Sequence, residues 1–297
     1  MQEFKILEKI LPMLTQREDI AVGPGDDCAA IDLGDGVCLL AGMDQMVCGL
    51  HYFPDVAPAR IGAKLLKRNL SDVAAMGGEP AYALLSLASL GGQAEWFEQF
   101  FQGLEEEARQ WNVSICGGDL AGLPAGKVRE IMSLTILGRI RKERLCLRCN
   151  AAAGDFLYAT GCFGNSLTSE HHLDFTPRLA EGQFLAGTYT RAMIDVSDGL
   201  LVDASRMAAA SNMALRLDLD TIPLRPGADL SGALADGEDY ELLFAVRPEL
   251  AGELEKNWPF NIRLTRLGTF EKGSGVIDVM NNNLLKLKNI GYEHQFK

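Results

Sequence analysis

Short carboxylates beside glycine or at the end of a helical run recur along this chain, at Gly25-Asp26-Asp27, Met43-Asp44, Asn69-Leu70-Ser71-Asp72, Gly117-Gly118-Asp119 and Asp195-Val196-Ser197-Asp198-Gly199. A fold that gathers them must offset their mutual repulsion, which raises the pKa of each carboxyl. A bound cation does so directly. Hard cations such as Mg²⁺ take oxygen ligands, and a few protein carboxylates usually share them with the phosphate oxygens of a nucleotide. Glycine beside an Asp permits positive φ and close approach of the main chain to a ligand. Any one of these clusters alone reads as a turn. Together they predict a fold that converges on a magnesium-phosphate site.

With 297 residues, 47% hydrophobic and 23% charged, the chain is long and apolar enough for two domains of ordinary size. The 40 acidic residues outnumber the 28 basic ones, giving a net charge of -12, which excludes general nucleic-acid binding. Seven cysteines, scattered through apolar runs without a secretion signal ahead of them, predict reduced thiols and a cytoplasmic protein. Cys146-Leu147-Arg148-Cys149 has no second close pair or histidines near it, so it reads as buried thiols rather than a zinc site. The longest apolar stretches, such as 80–90, are too short to span a bilayer.

The hydrophobic periodicity predicts an amphipathic helix over 3–14, β segments over 28–33 and 37–43 around Gly34-Asp35-Gly36, and a helix over 57–75 that starts near Pro58 and stops at Gly77-Gly78. Asp72 then falls in the last turns of a helix, where the dipole disfavours a carboxylate unless a cation is near. A strand over 82–90, a helix over 94–111, and strands over 113–116 and 131–140 complete a first unit, 1–145. The small-residue stretch Ala151-Ala152-Ala153-Gly154 follows a basic run and marks the boundary to a second unit, 146–297. That unit has strands over 155–160, 214–219, 240–245 and 263–269, and helices near Glu181 and over 199–211. The class is α/β with mixed sheets and no strict βαβ repeat. His171-His172 reads as a solvated loop pair. Neither a Walker A loop nor a kinase glycine-rich loop occurs, so ATP would be gripped through metals.

Six ordered motifs carry a resemblance over nearly the whole chain. They are Gly25-Asp26-Asp27-Cys28-Ala29-Ala30, Gly49-Leu50-His51-Tyr52-Phe53, residues 69–77 (Asn69-Leu70-Ser71-Asp72 through Gly77), Gly117-Gly118-Asp119, residues 194–200 around Asp195-Val196-Ser197-Asp198, and residues 237–244 from Gly237-Glu238-Asp239-Tyr240. Together they resemble the thiamine-monophosphate kinases, members of the aminoimidazole ribonucleotide synthetase superfamily. The resemblance implies a two-domain α/β fold, a homodimer built on the N-terminal domain, and transfer of a phosphoryl group from ATP to thiamine monophosphate. It implies that Asp27, Asp44, Asp72, Asp119 and Asp195 hold Mg²⁺ ions and Asp198 a further one, with Asp72, Asp119 and Asp195 at the centre of catalysis. Gly118, Asp119, Arg148 and Ser197 would meet the nucleotide, and His51, Glu238 and Tyr292 would line the acceptor pocket.

The chain departs from that pattern at Gly42-Met43, where the family has two hydroxyl residues, at Leu120 in place of Thr, at Asn289 in place of Trp, and in a short 165–177 segment. Competing expectations are a superfamily paralogue acting on another small acceptor and a non-catalytic nucleotide-binding paralogue. No reactive Cys or Lys stands in a glycine-rich N-terminal segment, as selenophosphate synthesis would need. The Glu293-His294-Gln295-Phe296-Lys297 end lacks the cysteine tail of the hydrogenase-maturation paralogues.

Overall fold

A helix buried around most of its circumference, polar residues included, has to sit between two layers, and the 58–75 segment is such a helix. In the computed structural model, which describes residues 3–91, 94–126, 128–285 and 291–292, Pro58–Ala75 lies at the centre of the molecule, with Ile61, Leu65, Leu66, Leu70 and Val73 all buried. Proline stands in its first turn and Gly77, at φ 74°, follows its end. Those are the stop and start signals that the sequence carries.

Helices are numbered α1 (Glu3–Ile10), α2 (Pro58–Ala75), α3 (Ala94–Gln110), α4 (His171–Asp174), α5 (Leu179–Leu185), α6 (Leu200–Ala210), α7 (Leu230–Ala235) and α8 (Pro248–Asn257). The first sheet uses β1 (Ile20–Val22), β2 (Ala29–Asp32), β3 (Val37–Val47), β4 (Glu79–Ser89), β5 (Ser114–Gly122) and β6 (Glu130–Arg141), in the order β1-β2-β3-β6-β4-β5. Only β4 and β5 pair in parallel, joined through α3; the other pairs are antiparallel. One face of this sheet packs on α2 and α3. The second sheet uses β7 (Phe156–Thr160), β8 (Ala192–Asp195), β9 (Met213–Leu217), β10 (Leu242–Val246), β11 (Leu264–Lys272) and β12 (Gly275–Asp278), in the order β12-β9-β11-β7-β10-β8.

The second sheet is buried on both faces, so its central strands read as continuous apolar runs rather than alternating ones. Tyr158, Met193 and Phe244 join the core around α2, while Leu157, Ile194 and Leu243 pack with Leu200, Ala204 and Met207 of α6 on the other side. Burial on this scale, at roughly 25 cal/mol per Å² of apolar surface, is the main term holding the sheets to their helices. Among the described residues no helix is long and apolar enough to cross a membrane.

Several elements differ from their sequence expectation. Strand β5 runs through Gly117-Gly118-Asp119 instead of ending before it. Strands β1, β8 and β12 and helices α4, α7 and α8 are additional. His171-His172 is not a solvated loop pair: it opens α4, and His172 is buried. Asn289 lies outside the described residues.

Candidate active site

Three of the acidic segments meet where α2 ends, where β8 ends and just ahead of β2. One carboxylate oxygen each from Asp27, Asp72 and Asp195 lies within 4.8 Å of the others. The three come from chain positions far apart, and each is aimed by local structure. Asp72 projects from the last turn of α2. Asp195 is the last residue of the fully buried β8 and accepts a 2.6 Å hydrogen bond from Ser71 Oγ. The Asp27 peptide N–H is held by Asp26 Oδ1, which fixes the turn that carries it.

Burial drives the electrostatics of this group. It pushes the Asp72 carboxyl well up, with Asp44, Asp195 and Asp27 adding repulsion, and it pushes Asp195 up in the same way, with Asp27 the strongest repelling charge. Asp27 rises to about 7, because the Arg148 guanidinium only partly offsets its desolvation. Arg148 donates to Asp27 Oδ1 at 2.6 Å, and its peptide N–H donates to Asp26 Oδ2 at 3.2 Å. Asp44 sits on the inner face of β3, where Arg68 Nε donates to its Oδ2 at 3.0 Å and Asn69 Oδ1 accepts its peptide N–H. Asp198 pairs with Arg206 at 2.6 Å, and Asp203 Oδ2 accepts the peptide N–H groups of Asp198 and Gly199.

The donor set fits a hard divalent cation. Its atoms are carboxylate oxygens, and buried Asp27 Oδ2 has no hydrogen-bond partner in the protein. Cys28 nearby is pushed well up by burial and stays a thiol, so it is no competing soft ligand. The same floor holds two buried guanidinium N–H groups without a hydrogen-bond acceptor, Arg68 Nη1 and Arg148 Nε. Orphaned donors are rare in protein interiors, and here they stand beside orphaned acceptor charge. The combination can take a metal-bound polyphosphate.

A cleft of about 410 Å³ opens above this floor, bordered by Asp44, Arg68, Asp72, Asp195, Ser197 and Asp198. Its far end is formed by Leu50, His51, Leu167, Glu238, Tyr240 and Tyr292. Glu238 and Tyr240 are non-glycine residues at φ 52° and 50°, a strained conformation that persists only when the surroundings enforce it. They are enforced by alternation. Asp239 is tied to Arg225 at 2.6 Å and to the Gly164 N–H at 3.0 Å, and Glu241 takes a two-pronged bond from Arg178 at 2.7 Å. With these anchors turned inward, Glu238 and Tyr240 face the cleft. Glu238 N–H donates to Ser197 O at 2.7 Å, which ties the far end to the Asp195–Asp198 loop. Tyr292 N–H donates to Asp198 O at 3.0 Å, and its ring stays 40% exposed at the rim.

Most of the expected site residues therefore stand together: Asp27, Asp44, Asp72, Asp195, Asp198, Arg148 and Ser197 around the floor, with His51, Glu238 and Tyr292 at the far end. Gly118 and Asp119 do not. Strand β5 is separated from β3 by β4 and β6, and Asp119 registers with Ser86 on the exposed side of the sheet, opposite to the side that carries Asp44. Gly118 has a packing reason of its own, since a Cβ there would overlap the Leu85 carbonyl. Met43 also points outward, 65% exposed, so of the Gly42-Met43 departure only Gly42 lies on the inner row. The sequence reading missed Lys64 and Arg68, which share a face of α2 with Asp72 at spacings of four, and missed Asp203 with Arg206. The i, i+4, i+8 series was the signal available.

Comparison with known proteins agrees with this geometry. Residues 25–140 match the AIR synthase related protein N-terminal domain and residues 161–281 the corresponding C-terminal domain. The chain is 34% identical over 277 residues to thiamine-monophosphate kinase of Salmonella typhimurium, covering 84% of this chain and 83% of that protein. It is 37% identical over 273 residues to that of Rhodopirellula baltica, covering 85% and 84%. The solved structure of AaThiL complexed with AMPPCP and TMP superposes with a TM-score of 0.85 at 26% identity, covering 99% of this chain and 97% of that one. With the two matched domains in order and the carboxylate floor assembled between them, the chain belongs to the thiamine-monophosphate kinase family of AIR synthase related proteins.

Proposed function

We propose that this protein transfers the terminal phosphoryl group of ATP to thiamine monophosphate, giving thiamine diphosphate and ADP, with Mg²⁺ held by Asp27, Asp72 and Asp195 and supported by Asp44 and Asp198. The observation that carries the reading is the carboxylate floor with one guanidinium N–H each of Arg68 and Arg148 lacking a hydrogen-bond acceptor, set at one end of a cleft whose other end offers Glu238 and Tyr292. Bound Mg²⁺ would neutralise the phosphate oxygens of donor and acceptor, the chemistry such a transfer needs most. The chain's own residues do the positioning. Arg68 and Arg148 offer buried N–H donors to phosphate oxygens, and Ser197 lines the same cleft as Arg68. His51, Glu238 and Tyr292 shape the acceptor end. Glu238 is held ionised: burial would push it up, but the charges of Lys64 and Arg68 beside it draw it down. Its negative charge suits the fixed positive charge of a thiazolium ring. The acceptor oxygen is already ionised at neutral pH, so no general base is required.

The protein acts, in this reading, as a homodimer formed on the uncovered face of the first sheet. Met43, Tyr82 and Leu84 expose 65, 53 and 40% of their surface there, an apolar face that a soluble monomer rarely leaves in water. Gly118 and Asp119 lie on the edge strand of that sheet, away from the carboxylate floor, and take no part in the site proposed here. A coupled ADP-release assay with a panel of phosphorylated acceptors tests the function. Release that requires both thiamine monophosphate and Mg²⁺, and stops in EDTA, supports it; release with another acceptor, or none, refutes the thiamine assignment.

A further inference from the structure

Lys64 lies outside the carboxylate floor, yet its side chain is fully buried. A buried ammonium is strongly disfavoured unless each N–H finds a partner. Here each does: Nζ is 2.7 Å from the His51 carbonyl oxygen, 2.8 Å from Glu238 Oε1 and 3.0 Å from His172 Nδ1. With Lys64 donating, we assign the His172 proton to Nε2 and the lone pair to Nδ1. The three partners belong to three segments far apart in sequence. His51 is in the turn after β3, where its Nδ1 accepts the Val47 N–H at 3.0 Å; His172 is in α4; Glu238 is in the turn before β10. Each segment also supplies wall to the far end of the cleft, through Leu50 and His51, through Ser166 and Leu167 just ahead of α4, and through Glu238 and Tyr240.

We propose that Lys64 is a positioning residue for the acceptor: its ammonium ties these three segments into one pocket wall and sets where the Glu238 carboxylate meets the cationic ring of the substrate. The inference rests on thiamine monophosphate being the acceptor. Titratable groups facing Lys64 are Glu238 and His172 across the packing and Lys67 and Arg68 on its own helix; Lys67 is occupied with the Leu173 carbonyl and Arg68 with Asp44. Burial lowers the Lys64 amine to about 8 against the pull of Glu238. A neutral amine has two N–H groups instead of three, so deprotonation drops one of the ties.

The test compares wild type with Lys64→Met, following the KM of each substrate separately between about pH 7 and about pH 9. Losing a charge-assisted tie raises the acceptor KM about tenfold or more, with kcat and the ATP KM within about threefold. In wild type the acceptor KM rises above about pH 8, and that limb is absent in the variant. A purely architectural ion pair would instead lower the melting temperature and move both substrates alike, which overturns the proposal. Should Lys64→Met fail to fold, a wild-type acceptor KM that stays flat across the range overturns it equally. If wild type releases no ADP with thiamine monophosphate, the functional reading itself has failed, before any variant is compared.

Discussion

Asp72 occupies the last turn of α2, at the negative end of the helix dipole, with Asp27 and Asp195 within carboxylate contact. Nothing in folding favours that arrangement, and the cation proposed to sit there would offset its cost. Asp72→Asn and Asp195→Asn are each expected to lower kcat about a hundredfold or more while the melting temperature in EDTA holds or rises, as removal of one element of a preorganised site does when it also relieves repulsion; unchanged kcat in both variants would remove them from the site. The same repulsion has a pH signature. Asp27 rises from an ordinary 3.8 to about 7 in the fold, so the folded state binds more protons than the unfolded chain between those values. Stability in EDTA is therefore fully present below about pH 4 as far as this group is concerned, is lost as pH rises towards 7, and levels off above. Thermal unfolding with and without Mg²⁺ checks this, with the Mg²⁺ stabilisation larger at about pH 8 than at about pH 5; equal stabilisation at both contradicts it. Residues such as Asp72 and Asp195 stood out because the acidic clusters recur along the chain, whereas any one of them alone reads as an ordinary turn. Lys64 and His172 were not, since a single Lys in an amphipathic helix looks solvated until tertiary packing buries it.

Helix α2 was the most legible element, with Pro58 at its start and Gly77 at its end. Strand β8 was invisible because Ala192–Asp195 is short, buried on both faces and without alternation. That cost the sequence reading the strand that carries Asp195, though not the residue. β5 was ended early because glycines usually close strands, whereas Gly118 is used for close approach to β4. The contact between α2 and α3 is equally tight: a Cβ on Gly62 would overlap the Phe100 carbonyl, and one on Gly103 the Ala59 backbone. Gly103→Ala is expected to destabilise the protein by about 1–3 kcal/mol through overpacking, with kcat per folded molecule retained. Denaturant titration measures it, and an unchanged midpoint would mean the helices have room to separate.

The molecule as a whole is two mixed sheets gripping one helix, with the carboxylate floor where α2, β8 and the 25–27 turn converge. The ordered motifs made the fold class readable, because all but Gly117-Gly118-Asp119 lie at element ends or turns around the carboxylate floor and its cleft. The placement of Asp119 on the outer side of the first sheet, with Gly118 on the edge strand beside Leu85, was not readable, because sheet order and facing are tertiary properties. The proposed dimer buries that side; light scattering at micromolar concentration is expected to give twice the chain mass of 32.3 kDa, and the monomer mass would contradict it. The central claim is direct transfer between two phosphates across the cleft. It is tested by incubating the protein with ATP labelled at the terminal phosphate, Mg²⁺ and thiamine monophosphate, and locating the label by phosphorus NMR. Label in the terminal phosphate of thiamine diphosphate is the outcome expected; label only in inorganic phosphate, or no label leaving ATP, would contradict the account.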